Sequence, residues 1–298
     1  MSNFTVQGRG SPFRTGVWGL ALAKAVSFCR RKPLGAVGAV LFVFSVMVAL
    51  LGPLAAPYDP NHTDVKYKFA SPSTEYPLGG DRYGRDIFSR LLHGARISLS
   101  VGVGATLLGG ITGSLLGVIS GYAGGRFDLL IQRLFDILMT FPSLVLAMVL
   151  VVVLSPSVMT LMGAVALPMA PRMARVMRSA ALSVKAMPHI EAAQATGCSG
   201  ARIVFKHILP NTMAPFLVLI SAQLGTAIVA ESSLSFLGLG MPPATPSWGT
   251  MLSSARDAFY LAPWLAIAPG MAIVLAVLSV NLMGDALRDV LDPKLKQR

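Results

Sequence analysis

Six stretches of the chain contain no charged side chain: 33–58, 97–125, 137–171, 207–230, 232–255 and 258–284. A helix needs about 20 apolar residues to cross the hydrocarbon layer of a bilayer, so each run is long enough to be tested as a crossing. The 137–171 run is long enough for two, and Ser155-Pro156-Ser157 marks the break, because proline lacks an amide donor and clashes with the preceding turn. The 232–255 run carries Gly238, Gly240, Pro242, Pro243 and Pro246 and reads as loop beyond Gly238. Crossings are therefore expected at 35–55, 97–122, 137–155, 158–177, 212–236 and 262–283, the fourth interrupted by Pro168, Pro171 and Arg172. The pattern predicts an all-α integral membrane protein with six transmembrane helices, which places both termini on one side.

Composition agrees and charge orients the helices. The chain is 54% hydrophobic and 13% charged, where soluble domains carry roughly a quarter charged residues. Arg9, Arg14, Lys24, Arg30, Arg31 and Lys32 precede the first acid, Asp59. From the last turns of the fourth crossing to the start of the fifth, Arg172, Arg175, Arg178, Lys185, Arg202 and Lys206 face Glu191 alone. Basic residues accumulate in short cytoplasmic segments, so both regions, and with them both termini, are expected in the cytoplasm. The 57–96 segment has mixed charge and the 237–261 loop has only Arg256 and Asp257, as expected of external segments. The net charge of +12 borders apolar spans and forms no separate domain, which favours anionic lipid headgroups over nucleic acid as its partner. Cys29 and Cys198 fall on the reducing side, implying no disulfide.

The expected organisation is a basic cytoplasmic tail at 1–32, an N-terminal membrane anchor at 33–56 and an external segment at 57–96. A permease core with five crossings follows at 97–284, and a cytoplasmic tail at 285–298. Val17-Trp18-Gly19-Leu20-Ala21-Leu22 fits either a short interfacial helix or a disordered tail. The first apolar run begins too late and runs too long for a signal peptide.

The candidate working segment is 180–210. Residues 180–196 are rich in helix formers, Gly197 and Gly200 supply the permissive backbone that a helix end requires, and Pro210 suits the first turn of the next helix. A short helix along the membrane face, ended at Gly197, is expected. Ala192 and Ala193 would let a partner's surface approach closely, and Glu191 offers it a carboxylate. Within the fifth crossing, Glu231 follows Pro210 by 21 residues, about 32 Å of helix, near the outer end. An intramembrane acid is a functional candidate by default. Glu231 could gate the pathway or meet a solute's amino group, or it could simply be hydrogen-bonded to Ser232 or Ser233. Arg172, Arg175 and Arg178 share a helical face suited to headgroups or to packing on 180–210. Asp285, Arg288, Asp289 and Asp292 suggest a local salt bridge. His62, His93, His189 and His207 are scattered and imply no metal site.

Glu191-Ala192-Ala193, Gly197 after three residues, and the closing Leu209-Pro210 resemble the ATPase-docking loop of importers of the ATP-binding-cassette (ABC) class. Residues 77–90 (Pro-Leu-Gly-Gly-Asp-Arg-Tyr-Gly-Arg-Asp-Ile-Phe-Ser-Arg), Leu-Ser-Phe-Leu-Gly-Leu-Gly and Pro-Ser-Trp-Gly within 234–249, and Asn-Leu-Met-Gly-Asp-Ala-Leu-Arg-Asp-Val-Leu-Asp-Pro at 281–293 are similar to the C-type subunit of the dipeptide and oligopeptide permease family. The likeness covers nearly everything from residue 35 onward. Two departures stand out: Gly80 replaces a threonine usual in the family, which should loosen one turn, and His207 replaces an isoleucine of the broader loop pattern.

The resemblance implies a type I importer permease fold and a multi-pass chain in a bacterial or archaeal cytoplasmic membrane. It implies a homologous second permease, two ABC ATPase subunits and an external solute-binding protein as partners. The solute would be a di- or oligopeptide, although nickel chelates and glutathione are carried by the same family shape. No Gly-x-x-x-x-Gly-Lys-Ser/Thr phosphate loop occurs, so the chain is expected to be no enzyme and to hold no cofactor, with ATP and Mg on the ATPases. An ion-driven secondary transporter is the competing class. It would need ion ligands near mid-membrane and often shows inverted repeats, whereas Glu231 lies near the outer edge and no duplication is visible. A non-transporting scaffold is the second rival.

Overall fold

The computed structural model describes residues 32–291. The tail readings before Lys32, Cys29 and Asp292 lie outside them. Among the described residues ten helices carry the fold: α1 Pro33–Ala55, α2 Ile87–Ala123, α3 Gly125–Thr140, α4 Ser143–Leu154, α5 Val158–Lys185, α6 Pro188–Ala195, α7 at 200–211, α8 Met213–Phe236, α9 Trp248–Ala255 and α10 Trp264–Leu291. Among the described residues there is no strand, only an isolated pairing of Gly80 with Asp86. By length and apolarity, α1, α2, α8 and α10 can each cross a membrane, and the bent pair α3 and α4 is a fifth candidate.

The helix starts explain where the structure departs from the hydrophobic runs. α2 begins ten residues ahead of the expected crossing because Asp86 caps it, accepting from the Phe88 and Ser89 amides. The expected crossing at 137–155 is not one helix. Residues 137–140 finish the amphipathic α3, Phe141 and Pro142 leave helical geometry, and α4 departs at 90°. Pro168 and Pro171, expected to interrupt the fourth crossing, instead lie inside the continuous 28-residue α5, about 42 Å long. Membrane helices tolerate such prolines when neighbouring groups satisfy the freed carbonyls. The loop expected at 237–261 contains α9, started by a reciprocal Ser247–Thr250 capping box.

α2 and α5 make the most extensive helix contact of the fold. A Cβ at Gly109, Gly113 or Gly117 would run into the carbonyl oxygens of Ala166, Ala170 and Ala174 respectively. Both rows step by four residues, so two flat helix faces meet backbone to backbone, the small-residue packing that membrane helices use in place of a hydrophobic driving force. α10 lies against α1 and α8. Lys32 Nζ reaches Asp289 Oδ2 at 2.6 Å, which joins the start of α1 to the last turns of α10 at one end of the bundle. Asp289 thus pairs across the fold and not locally, as the sequence had suggested.

Candidate functional site

The 188–211 segment is two short helices folded onto the ends of α2 and α5. Pro188 occupies the first turn of α6, where its missing amide costs nothing. Ile190 and Ala193, three apart, face inward and join Ile203, Val204 and Ile208 of α7 in an apolar cluster with Val118 of α2 and with Met177, Ala181 and Val184 of α5. Leu209 and Cys198 pack against the same cluster. The outward face carries Glu191, Ala192 and Gln194. The alanine pair is therefore divided: Ala192 is exposed, while Ala193 seats the helix.

Gly197 ends α6 at φ +74° with open space around its α-carbon, so the glycine serves backbone geometry and not a close contact. Its amide donates to the Gln194 carbonyl at 2.9 Å and the Cys198 amide to the Ala193 carbonyl at 3.1 Å, the two bonds of a Schellman ending. In α7, residues Ile203–Ile208 form a π-helical turn in which the Leu209 amide donates to the Val204 carbonyl. The widened turn precedes Pro210, which cannot donate an amide hydrogen of its own. Pro210 is exposed, and a break at Thr212 separates it from α8. Lys185 fixes the near edge by donating to the Tyr122 carbonyl at 2.7 Å.

Sequence reading passed over Phe205, which is 57% exposed between the inward Val204 and Ile208. A large aromatic turned outward beside the exposed Arg202 and Lys206 is the residue type that anchors protein interfaces. Its signal was an apolar residue out of phase with the inward Ile203, Val204 and Ile208.

Glu231 lies elsewhere and is fully buried. Ser235 Oγ donates to Oε1 at 2.8 Å and Ser232 Oγ to Oε2 at 3.3 Å. Ser98 of α2 and Ser247 at the α9 cap lie beside it, and Ser98 Oγ accepts from the Trp248 amide. The carboxyl thus ties α8 to α2 and α9 and leaves no surface for a solute to touch.

The 77–90 signature forms a buried polar knot at the start of α2. Asp81 accepts from the Arg85 backbone and guanidinium, the latter at 2.7 Å, with both side chains buried. Arg90 donates to the carbonyls of Pro60 and Pro243 at 2.7 and 3.2 Å. Gly80 does not loosen its turn: a Cβ there would collide with the Tyr67 carbonyl, so the close approach requires glycine. Arg178 and Arg175 pair with Asp128 and Asp136 of α3, and neither relies on the 180–210 segment.

Two family descriptions match the chain. Residues 113–297 match the binding-protein-dependent transport system inner membrane component, and residues 25–72 match the N-terminal TM domain of oligopeptide transport permease C. Among curated proteins, the dipeptide transport system permease protein DppC of Alkalihalophilus pseudofirmus is 41% identical, over 90% of this chain and 88% of its own length. The di/tripeptide transport system permease protein DppC of Pseudomonas aeruginosa is 41% identical over 91% of each. The glutathione transport system permease protein GsiD of Escherichia coli is 42% identical over 90% and 88%.

Proposed function

Because the chain belongs to the binding-protein-dependent transport system inner membrane components, and is therefore a membrane transport subunit and not an enzyme, we propose that it forms half of the pathway of an ATP-driven peptide importer. In this reading six helices, α5 included, cross the membrane with both termini in the cytoplasm, as in a type I importer permease. A homologous permease supplies the other half, an external binding protein delivers a di- or oligopeptide, and two ABC ATPases, holding ATP and Mg, dock on 180–210. The observation that carries the proposal is the construction of α6 and α7. Glu191, Ala192 and Phe205 are presented outward while Ile190, Ala193, Ile203 and Ile208 are bedded on α2 and α5. A push on the outer face therefore reaches the membrane helices through close-packed side chains, which transmit displacement instead of absorbing it.

The test is uptake by the complete assembly in proteoliposomes. Peptide accumulation should survive a proton ionophore and stop when the ATPase subunits are made unable to hydrolyse ATP. Uptake that collapses with the proton gradient while ATPase variants retain it would favour a secondary transporter. Glutathione is the second solute to assay, because a relative of equal similarity is named for it.

A further inference from the structure

A concavity of about 90 Å³ opens between α4, α5 and α8, and its polar lining is Ser143, Arg172, Gln223 and Thr226. The outer ends of these helices lie together, since Leu234 of α8 shares an apolar cluster with Val158 and Leu161 of α5 and Leu150 of α4. Measured down from those ends at 1.5 Å per residue, Ser143 lies about 17 Å below Leu154, Arg172 about 21 Å below Val158, and Gln223 and Thr226 about 20 and 15 Å below Phe236. A hydrocarbon layer is about 30 Å thick. Three helices thus bring their polar residues to one depth, near its middle.

Arg172 is the exception among the α5 arginines. Arg175 and Arg178 are matched by Asp136 and Asp128, while among the described residues no carboxylate pairs with Arg172, which is exposed on the concave side. A lone cation at this depth is costly and marks a pathway or ligand. A second feature has the same sign. α4 starts at Ser143 after the 90° break, with no side-chain cap on its N-terminus, so the positive end of a half-helix opens on the concavity, as at anion sites in broken membrane helices. Thr226 Oγ1 lies 2.7 Å from the Gln223 carbonyl oxygen and 2.9 Å from its amide oxygen, leaving the Gln223 amide hydrogens as further donors.

We propose that this concavity holds the carboxylate of a solute in transit, with Arg172 as its counter-charge. The assignment rests on the peptide-import reading and sharpens it. A concavity of about 90 Å³ suits a carboxylate head better than a whole peptide. One end of the solute is gripped here, and the rest lies toward the surface that the partner permease would cover.

The experiment uses the full assembly in proteoliposomes and compares a peptide with its C-terminally amidated form. Arg172→Gln should shift the ratio of free-acid to amide uptake by about tenfold relative to wild type, the factor that 1.4 kcal/mol represents, and Arg172→Lys should keep part of the preference. Selectivity of the binding protein is common to both assemblies and cancels. Equal loss for both peptides, or no change in the ratio, would overturn the proposal and leave Arg172 a packing or headgroup residue. Should Arg172→Gln fail to assemble, Ser143→Cys provides a second readout in a background carrying Cys29→Ser and Cys198→Ser. An anionic sulfonate thiol reagent should label it several-fold faster than a cationic ammonium reagent, and free-acid peptide should slow that labelling. Equal rates for the two reagents would overturn the proposal independently of transport. A wild-type assembly that takes up neither peptide would sink the peptide-import reading instead, with the labelling arm still judging the concavity.

Discussion

The 77–90 signature and the 188–211 segment sit at opposite ends of α2 and are secured by opposite means. At the first, charge is taken inside: Asp81, Arg85, Asp86 and Arg90 are all nearly inaccessible, and each is satisfied by caps, carbonyls or one another. At the second, the buried groups are apolar, the helix end is latched by backbone bonds and by the Thr196 hydroxyl on the Ala193 carbonyl, and Glu191, Arg202 and Lys206 remain in the open. Buried ionic groups tolerate little displacement, because moving one strands the other. An apolar bed with a backbone latch can be carried as a unit while its exposed charges meet another surface. In the proposed importer, the difference separates an end that stays fixed from an end that the ATPases would handle.

The sharpest way to break that comparison is to strand a charge in the fixed end. Asp81→Ala leaves the buried Arg85 guanidinium without its carboxylate and removes the acceptor of two backbone amides. Removing one partner of a buried pair typically costs about 3–5 kcal/mol. Detergent-solubilised protein should melt at a clearly lower temperature and accumulate poorly in the membrane. A variant as stable as wild type would mean that the knot does not hold the outer segment.

Next in size is a change at the handled end that should spare stability more than function. Gly197→Pro cannot hold φ near +74°, since proline fixes φ near −65°, and it also removes the amide that donates to Gln194. Local strain of about 1–3 kcal/mol is expected, released by unwinding the end of α6 and not the bundle. Glu191→Lys keeps the helix but reverses the charge shown to a partner, losing only about 0.3–1 kcal/mol of favourable placement near the α6 N-terminus. Both variants should insert normally and fail to import in the uptake assay. Loss of membrane insertion with either would make the segment a folding element and erase the contrast.

How far the sequence could be read follows the same division. The apolar runs located α1, α2, α8 and α10, because a helix exposed to water seldom runs so far without a charged residue. The ending at Gly197 was equally legible, since one φ value demands one residue type. The bend at Phe141 and Pro142 was hidden inside an uncharged run, where hydropathy alone cannot tell an amphipathic helix end from a span. Continuity of α5 through Pro168 and Pro171 depends on neighbours that no local rule contains, and so do the serines that converge on Glu231 from α2, α8 and α9. Ala193 was assigned by residue type and Phe205 was passed over, and only the direction each faces shows that the alanine seats α6 while the aromatic is turned outward.

The smallest expected effect compares two neighbouring pairs on one helix face, and it separates burial from charge as the cause of fixity. Arg178 holds Asp128 through two hydrogen bonds at 2.7 and 2.5 Å, with side-chain exposures of 32% and 13%. Arg175 meets Asp136 through one at 2.8 Å, with exposures of 53% and 50%. Two-point contact and partial burial should make Arg178→Ala cost about 1.5–3 kcal/mol, because the largely buried Asp128 then loses its counter-charge. Arg175→Ala should cost about 0–1 kcal/mol, since water replaces an exposed partner readily. Thermal unfolding of the two variants side by side, at low and high salt, reads the difference directly. The Arg178 penalty should persist in salt and the Arg175 penalty should vanish. Equal penalties would mean that α3 is attached to α5 by charge wherever it falls, and that burial is not what distinguishes the fixed contacts of this protein from its free ones.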